Sequence, residues 1–219
     1  MTFEEEYFDK AYRGSYEKSS PFRKLRYYLT KIKEVKQEGD LLDVGCAYGS
    51  FLYHAQQYYS ITGIDISHNA IDKAKKRLPD KNLFISDILA LKTAHKFDIV
   101  TCFDVLEHVH HLDLALERIS DLLNNDGILA VTVPVYDTLA GKIVTILDKD
   151  KTHLWKESRD FWRMKLQEHG YKIIMDEGLW RYNMFNLYYA FWGGKIWRNF
   201  SPAILLIGAK DDIYRSAGL

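Results

Sequence analysis

Five short apolar runs alternate with amphipathic stretches between residues 41 and 134, and that alternation leaves few folds open to the chain. The runs are LLDVG (41–45), ITGID (61–65), LFIS (83–86), FDIVTC (97–102) and ILAVTVP (128–134). They read as buried strands. Between them SFLYHAQQYY (50–59), SHNAIDKAKKRL (67–78) and LDLALERISDLL (112–123) carry helical periodicity, the last stopped by Asn124, Asn125, Asp126 and Gly127. Upstream, Ser20 and Pro21 open a predicted helix over 20–37 with Phe22, Leu25, Leu29, Ile32 and Val35 on one face. Strands alternating with helices pair in parallel through right-handed crossovers, which gives a doubly wound α/β sheet. Beyond residue 135 the spacing predicts a helix at 158–170 and strands at 171–177 and 202–210, with an aromatic stretch at 179–200.

At 219 residues, with 47% hydrophobic and 27% charged side chains, the chain is expected to form one domain. Its expected parts are an N-terminal helical lid (1–38), a core (39–135) and a C-terminal half (136–219) carrying the aromatic insertion. Thirty basic and thirty acidic residues cancel, so no global field recruits nucleic acid or an anionic membrane, although a zero sum says nothing about a local basic patch. Two cysteines, Cys46 and Cys102, cannot make a disulfide framework and are expected as reduced, buried thiols in a cytoplasm. The N-terminus is acidic and polar, unlike a signal peptide. No apolar run reaches the roughly 18 residues of a membrane span.

The chemistry begins at Asp43-Val44-Gly45-Cys46-Ala47-Tyr48-Gly49. A strand leading through a glycine turn into a helix places backbone N–H groups and a helix N-terminus beside a ligand. Gly45 would permit the tight turn and Gly49 a close approach to the ligand. Asp65 follows 20 residues after Gly45, the spacing of an acid that holds an adenosine ribose. Asp87 closes the third strand, in reach of an adenine amino group. One such Asp could merely cap a turn; three in register predict a shared crevice at the carboxyl edge of the sheet. A dinucleotide fingerprint is disfavoured, because Gly45-Cys46-Ala47-Tyr48-Gly49 lacks two of its three glycines.

DVGCAYG, GIDIS, SDI and FDIVTCFDVLEHV, in this order, resemble the class I S-adenosylmethionine (SAM)-dependent methyltransferases, closely over residues 20–135 and loosely beyond. The resemblance implies a Rossmann-like, mostly parallel seven-stranded sheet with an antiparallel C-terminal hairpin. It implies that Asp43, Gly45, Cys46, Ala47 and Gly49 wrap the methionine half of SAM. Ala47 stands in place of the family's middle glycine; alanine tolerates most backbone angles short of positive φ, so the substitution is expected to be tolerated. Asp65 would bind the ribose, Ile66 would pack on the adenine, Asp87 and Ile88 would line its edge and face, and Phe103 and Asp104 would lie near the transferred methyl. S-adenosylhomocysteine would be the product.

Residues 104–111 concentrate Asp104, Glu107, His108, His110 and His111 after the fourth strand. Asp104, Glu107 and His108 fall at i, i+3 and i+4, so one helical turn would present all three together. His108 could be a general base toward a substrate hydroxyl; alternatively the trio could hold a divalent metal. The segment is similar to the E-x-x-E-H motif of Hen-type small-RNA and ubiquinone-pathway O-methyltransferases, which implies a metal, with His153 as a further ligand. Similar tripeptides occur in many metal-free members of the superfamily, so the metal-free base is the preferred reading. His110 and His111 read as solvated residues at a helix start.

The expected activity is methyl transfer from SAM to a small-molecule acceptor, a hydroxyl oxygen being preferred. A module that binds SAM or a nucleotide without catalysis, as a sensor or partner subunit, is the alternative. Tyr7, Phe8, Tyr12 and Tyr16 and the stretch 179–200 are candidates to cover the site. That stretch reads first as core packing and sheet-edge hairpin, then as an acceptor-pocket wall, then as a homodimer or membrane-surface patch.

Overall fold

The computed structural model describes residues 22–137, 152–184 and 188–211. The N-terminal segment with Tyr7, Phe8, Tyr12 and Tyr16 lies outside them, as does the predicted cap at Ser20 and Pro21. The chain divides into two compact units, residues 1–94 with 182–191 and residues 95–181 with 192–219.

The first unit holds helix α1 (Phe22–Val35), strand β1 (Asp40–Val44), helix α2 (Ser50–Ala55), strand β2 (Ser60–Asp65), helix α3 (His68–Arg77) and strand β3 (Asn82–Ile85). The strands pair in parallel in the order β3-β2-β1, with Val44 opposite Ile64 and Asp65 opposite Ile85. Leu41, Leu42, Ile61 and Ile64 are buried, as a parallel sheet covered by helices requires. α3 starts where Ser67 accepts a hydrogen bond from the Ala70 N–H at 3.2 Å, a cap worth about 1 kcal/mol. It turns Ala70, Ile71 and Ala74 inward and ends in Lys75, Lys76 and Arg77, which suit the negative end of its dipole. α2 is shorter than the predicted 50–59. Tyr58 and Tyr59 both bond back to the Ala55 carbonyl, and the Tyr59 hydroxyl donates to the Lys36 carbonyl at 2.6 Å, which turns the chain into β2.

The second unit holds β4 (Phe97–Phe103), a 3-10 turn (Leu106–His108), α4 (Leu112–Leu122), β5 (Leu123–Pro134), α5 (Arg159–Glu168), β6 (Tyr171–Met184) up to Arg181, the end of β7 (Tyr188–Gly194), a second 3-10 turn (Lys195–Trp197) and β8 (Ala203–Lys210). β4 and β5 are parallel; β5 pairs antiparallel with β8, and β8 antiparallel with β6. The expected α/β fold with antiparallel C-terminal strands is present, with eight strands rather than seven. The extra one comes from the aromatic stretch, which supplies the distal part of β6 and then β7. β5 also starts earlier than predicted. Phe97 pairs with Leu123, but Ile99 pairs with Ile128, so Asn124–Gly127 bulge out of the ladder within the strand. Among the described residues, no helix is long and apolar enough to cross a membrane.

Candidate functional site

The carboxyl ends of β1, β2 and β3 lie side by side, so Gly45, Asp65 and Asp87 reach one edge as the sequence predicted. Asp65 is the best-held polar group there. Its Oδ2 accepts from the Ala47 N–H and its Oδ1 from the Ser67 N–H, both at 2.9 Å. It is 8% exposed. Burial raises its pKa above the ordinary 3.8, while the backbone N–H groups of Ser67, Ala47 and Ile66 pull the other way. Two of the carboxylate's four lone-pair sites are taken by Ala47 and Ser67. Beside it Ile66 presents an exposed apolar side chain, whereas Ile88 is buried. Asp87 is exposed, and its Oδ1 accepts from the Leu89 N–H at 2.8 Å. That is the turn-capping geometry of any short acid.

The loop differs from expectation at Ala47. Ala47 has φ 48°, inside the left-handed region where a Cβ is strained. The alanine thus sits at positive φ, contrary to the expectation, and its N–H to Asp65 holds it there. Gly49 (φ 69°) packs against α3: a Cβ would lie 3.1 Å from Leu78 Cδ1 and 3.3 Å from Ala74 Cβ. α3 clamps the loop, with Arg77 Nη1 donating to the Tyr48 carbonyl at 2.9 Å and Lys73 Nζ to the Tyr48 hydroxyl at 3.2 Å. Asp43 is buried within β1. Cys46 is buried too; a Cβ on Gly63 would lie 2.9 Å from its Sγ. Burial and the nearby Asp43 and Asp65 carboxylates push the thiol well up, so Cys46 packs as a neutral group.

After β4 the side chains regroup. The 3-10 turn covers only Leu106–His108, and Asp104 precedes it at φ 58°. Asp104 is therefore not on a common helical turn with Glu107 and His108. Its N–H donates to the Thr132 carbonyl at 2.9 Å, its Oδ1 accepts from the Thr132 hydroxyl at 3.0 Å, and its Oδ2 pairs with Arg181. Phe103, the last residue of β4, stands opposite Thr132 and is half-buried. The third member of the cluster is instead His153, whose ligand atom lies with those of Glu107 and His108 within 4.8 Å.

The segment Thr152–Trp155 builds this cluster. The Leu154 and Trp155 N–H groups donate to the Glu107 carbonyl at 2.8 and 3.2 Å, and Trp155 Nε1 donates to the Val109 carbonyl at 2.7 Å. His108 Nδ1 lies 3.1 Å from the Thr152 carbonyl and 2.9 Å from its hydroxyl. A carbonyl only accepts, so this contact needs the proton on Nδ1, which leaves the lone pair on Nε2. His153 Nδ1 meets the Tyr136 hydroxyl at 3.0 Å, and the two imidazole centroids are 4.7 Å apart. Two imidazoles, each fixed through Nδ1, plus a buried carboxylate form a donor set that fits a divalent transition metal. His110 and His111 are exposed, as predicted. Arg181, Thr132, Thr152 and Tyr136 escaped the sequence reading. Each acts across a long separation and carries no local motif.

A family model described as a methyltransferase domain matches residues 14–175. The chain belongs to that family. Its relatives include an uncharacterized protein of Methanocaldococcus jannaschii, 34% identical over 54% of this chain and 50% of the relative. The (S)-coclaurine N-methyltransferase of Papaver somniferum is 29% identical over 53% and 35%, and a ubiquinone biosynthesis O-methyltransferase of Coxiella burnetii is 34% identical over 44% and 46%. The chain thus spans about half or less of the length of these relatives. In fold it is similar to the magnesium protoporphyrin IX methyltransferase of Synechocystis solved with bound SAH (TM-score 0.66, 18% identity, 95% and 96% coverage). It is also similar to a SAM-dependent methyltransferase of Thermotoga maritima (TM-score 0.67, 15% identity, 94% of both chains). The fold is therefore the Rossmann-like one of the class I SAM-dependent methyltransferases. SAM, the methyl donor of that family, fits the β1–β3 edge: Asp65 keeps lone pairs for a diol, and Ile66 offers an apolar face beside it.

Proposed function

We propose that this methyltransferase moves the methyl group of SAM to a hydroxyl oxygen of a small molecule, with His108 as the general base. The observation that carries the donor half is Asp65, buried at the end of β2 and fixed by two backbone N–H groups. SAM supplies a methyl already activated on a sulfonium, so the work left to the chain is binding, alignment and proton removal. Asp65 accepts from the ribose hydroxyls. His108, with its proton on Nδ1 toward Thr152, offers Nε2 to the acceptor hydroxyl. As the C–O bond forms and the S–C bond breaks, the hydroxyl proton passes to Nε2 and neutral S-adenosylhomocysteine leaves.

A metal-assisted version of the same transfer is favoured by one observation, the grouping of Glu107, His108 and His153. There these residues would hold a divalent cation, which would supply Lewis-acid activation of an acceptor hydroxyl. Glu107 and the two imidazoles then act as ligands, and Thr152 and Tyr136 orient the rings.

Isothermal titration with SAM, followed by S-adenosylhomocysteine assay against a panel of phenols, catechols and aliphatic alcohols, tests the reading. Product with the wild type and a roughly 10²-fold loss in His108→Ala support it. SAM binding with no product from any acceptor favours the sensor reading. Activity abolished by chelator and restored by one divalent ion selects the metal version.

A further inference from the structure

From Gly178 to Lys210 the chain has no Asp or Glu, while Arg181, Lys195, Arg198 and Lys210 fall inside that span. In a chain with equal numbers of acids and bases this is the one long segment of single sign in the C-terminal half. At its centre, Lys195–Phe200 (KIWRNF) are all exposed. Ile196 is 78% exposed, Phe200 65% and Trp197 40%, with Trp192 at 56% just before them. Large apolar side chains grouped in this way are costly in water and mark a surface that meets something.

The exposure is built in, because the backbone of this loop is anchored. A Cβ on Gly178 of β6 would lie 2.2 Å from the Trp197 carbonyl carbon and oxygen, so the loop sits directly against the strand. The Phe200 and Ser201 N–H groups both donate to the Trp197 carbonyl at 3.0 Å, and the buried Ser201 hydroxyl donates to the Ala203 carbonyl at 2.7 Å. Trp180 meets Trp197 edge to face at 6.3 Å. Gly194 at φ 152° turns the chain into the 3-10 turn, a conformation reserved for glycine. The result is a finger whose backbone is seated while Ile196 and Phe200 stay exposed beside Lys195 and Arg198.

We propose that this finger docks the protein on an anionic lipid bilayer. Apolar and Trp side chains enter the acyl–headgroup boundary while Lys195 and Arg198 meet the headgroup phosphates. Among the described residues neither base is in an ion pair, so both charges are available to headgroups. A second copy of the chain fits less well, since a two-fold contact through this face would set Lys195 and Arg198 against their own counterparts. A polynucleotide also fits less well, because two bases give a short phosphate track and Ile196 offers nothing to stack.

The test is co-sedimentation of the full chain with vesicles of phosphatidylcholine alone and of phosphatidylcholine with phosphatidylglycerol. Binding only to the anionic vesicles, weakened by salt, is the expected result. Lys195→Glu with Arg198→Glu should lower the partition coefficient by at least roughly 25-fold, given about fivefold per basic residue. Ile196→Ser with Phe200→Ser should lower it to a similar degree, with the thermal midpoint unchanged because both side chains are largely in water. No pelleting with either vesicle overturns the proposal. So does a concentration-dependent dimer in sedimentation equilibrium that the same variants abolish without any lipid binding, and so does retention on a polyanionic nucleic acid in place of vesicles.

Discussion

The backbone N–H of Ala47 donates to the Asp65 carboxylate at 2.9 Å, which ties the loop after β1 to the end of β2. Through this bond the residue that shapes the loop and the residue proposed to meet the ribose are one unit. Asp65→Asn replaces an acceptor-only group by one that presents an NH2 to either the Ala47 or the Ser67 N–H. Losing charge-assisted hydrogen bonds of about 1.5–3 kcal/mol, the variant should bind SAM roughly 10- to 100-fold more weakly by calorimetry. Affinity within a factor of two of wild type would remove Asp65 from the donor site.

The same carboxylate sets a pH dependence of defined sign. Burial, against its backbone N–H partners, lifts the Asp65 pKa above 3.8 in the folded state. The folded chain therefore takes up this proton before the unfolded chain does, so Asp65 costs stability above its raised pKa and ceases to do so below the ordinary one. Ligand binding runs the other way, because a protonated carboxyl is a poorer ribose acceptor. SAM affinity should fall as pH is lowered through a window that opens above 3.8, and that fall should be absent in Asp65→Asn. A wild-type profile that stays flat to the acid limit of folding contradicts the assignment.

How much of this was legible in the sequence divides by separation along the chain. The β1–β3 edge followed from strand-end positions, since parallel neighbours in register must bring Gly45, Asp65 and Asp87 together. Local capping at Ser67 was equally open to reading. The rim after β4 was misread because spacing alone suggested a helical turn from Asp104 to His108. The left-handed backbone at Asp104 sends it to Thr132 and Arg181 instead, a partner 77 residues away. The eighth strand was hidden for another reason: aromatic residues crowd 179–200 so densely that no period-two alternation marks the end of β6 or the start of β7.

Asp104 and Arg181 form a partly buried ion pair, their side chains 25% and 19% exposed. Removing one partner leaves a poorly solvated charge, so Arg181→Met should destabilise the fold by about 1–3 kcal/mol in urea. Asp104→Asn should cost less, because asparagine tolerates φ near 58° and can still accept from Thr132. Asp104→Ala loses both advantages and should cost the most. The double variant Asp104→Asn with Arg181→Met should fall short of the sum of its parts. Strict additivity would show that the pair contributes nothing.

Thr152 touches His108 through both its carbonyl and its hydroxyl, and Thr152→Val removes only the second. The ring then keeps one of two restraints. If His108 is the base, kcat should drop by roughly tenfold with the KM for SAM unchanged, in the range typical of groups that orient a working imidazole. The acid limb of the kcat profile should also shift, which a merely structural residue would not cause. A loss confined to stability, with kcat per folded molecule preserved, assigns Thr152 to packing alone.

Gly178 and Gly194 both serve the exposed finger, but by different physics. At Gly194 a Cβ has room, its nearest atom being Trp197 Cδ1 at 3.9 Å, and the penalty of alanine lies only in the backbone at φ 152°. At Gly178 a Cβ would sit 2.2 Å from backbone atoms of Trp197, which cannot rotate aside. Gly178→Ala must therefore displace the Lys195–Phe200 loop or open the β6–β8 pairing at Gly178 and Ile204. The expected cost is about 3 kcal/mol, the upper end of overpacking, against about 1–2 kcal/mol for Gly194→Ala. Urea midpoints rank the two variants. Tryptophan emission follows the displacement, because moving the loop changes the surroundings of Trp180 and Trp197 together. Equal midpoints with unchanged emission would mean that the loop does not rest on Gly178.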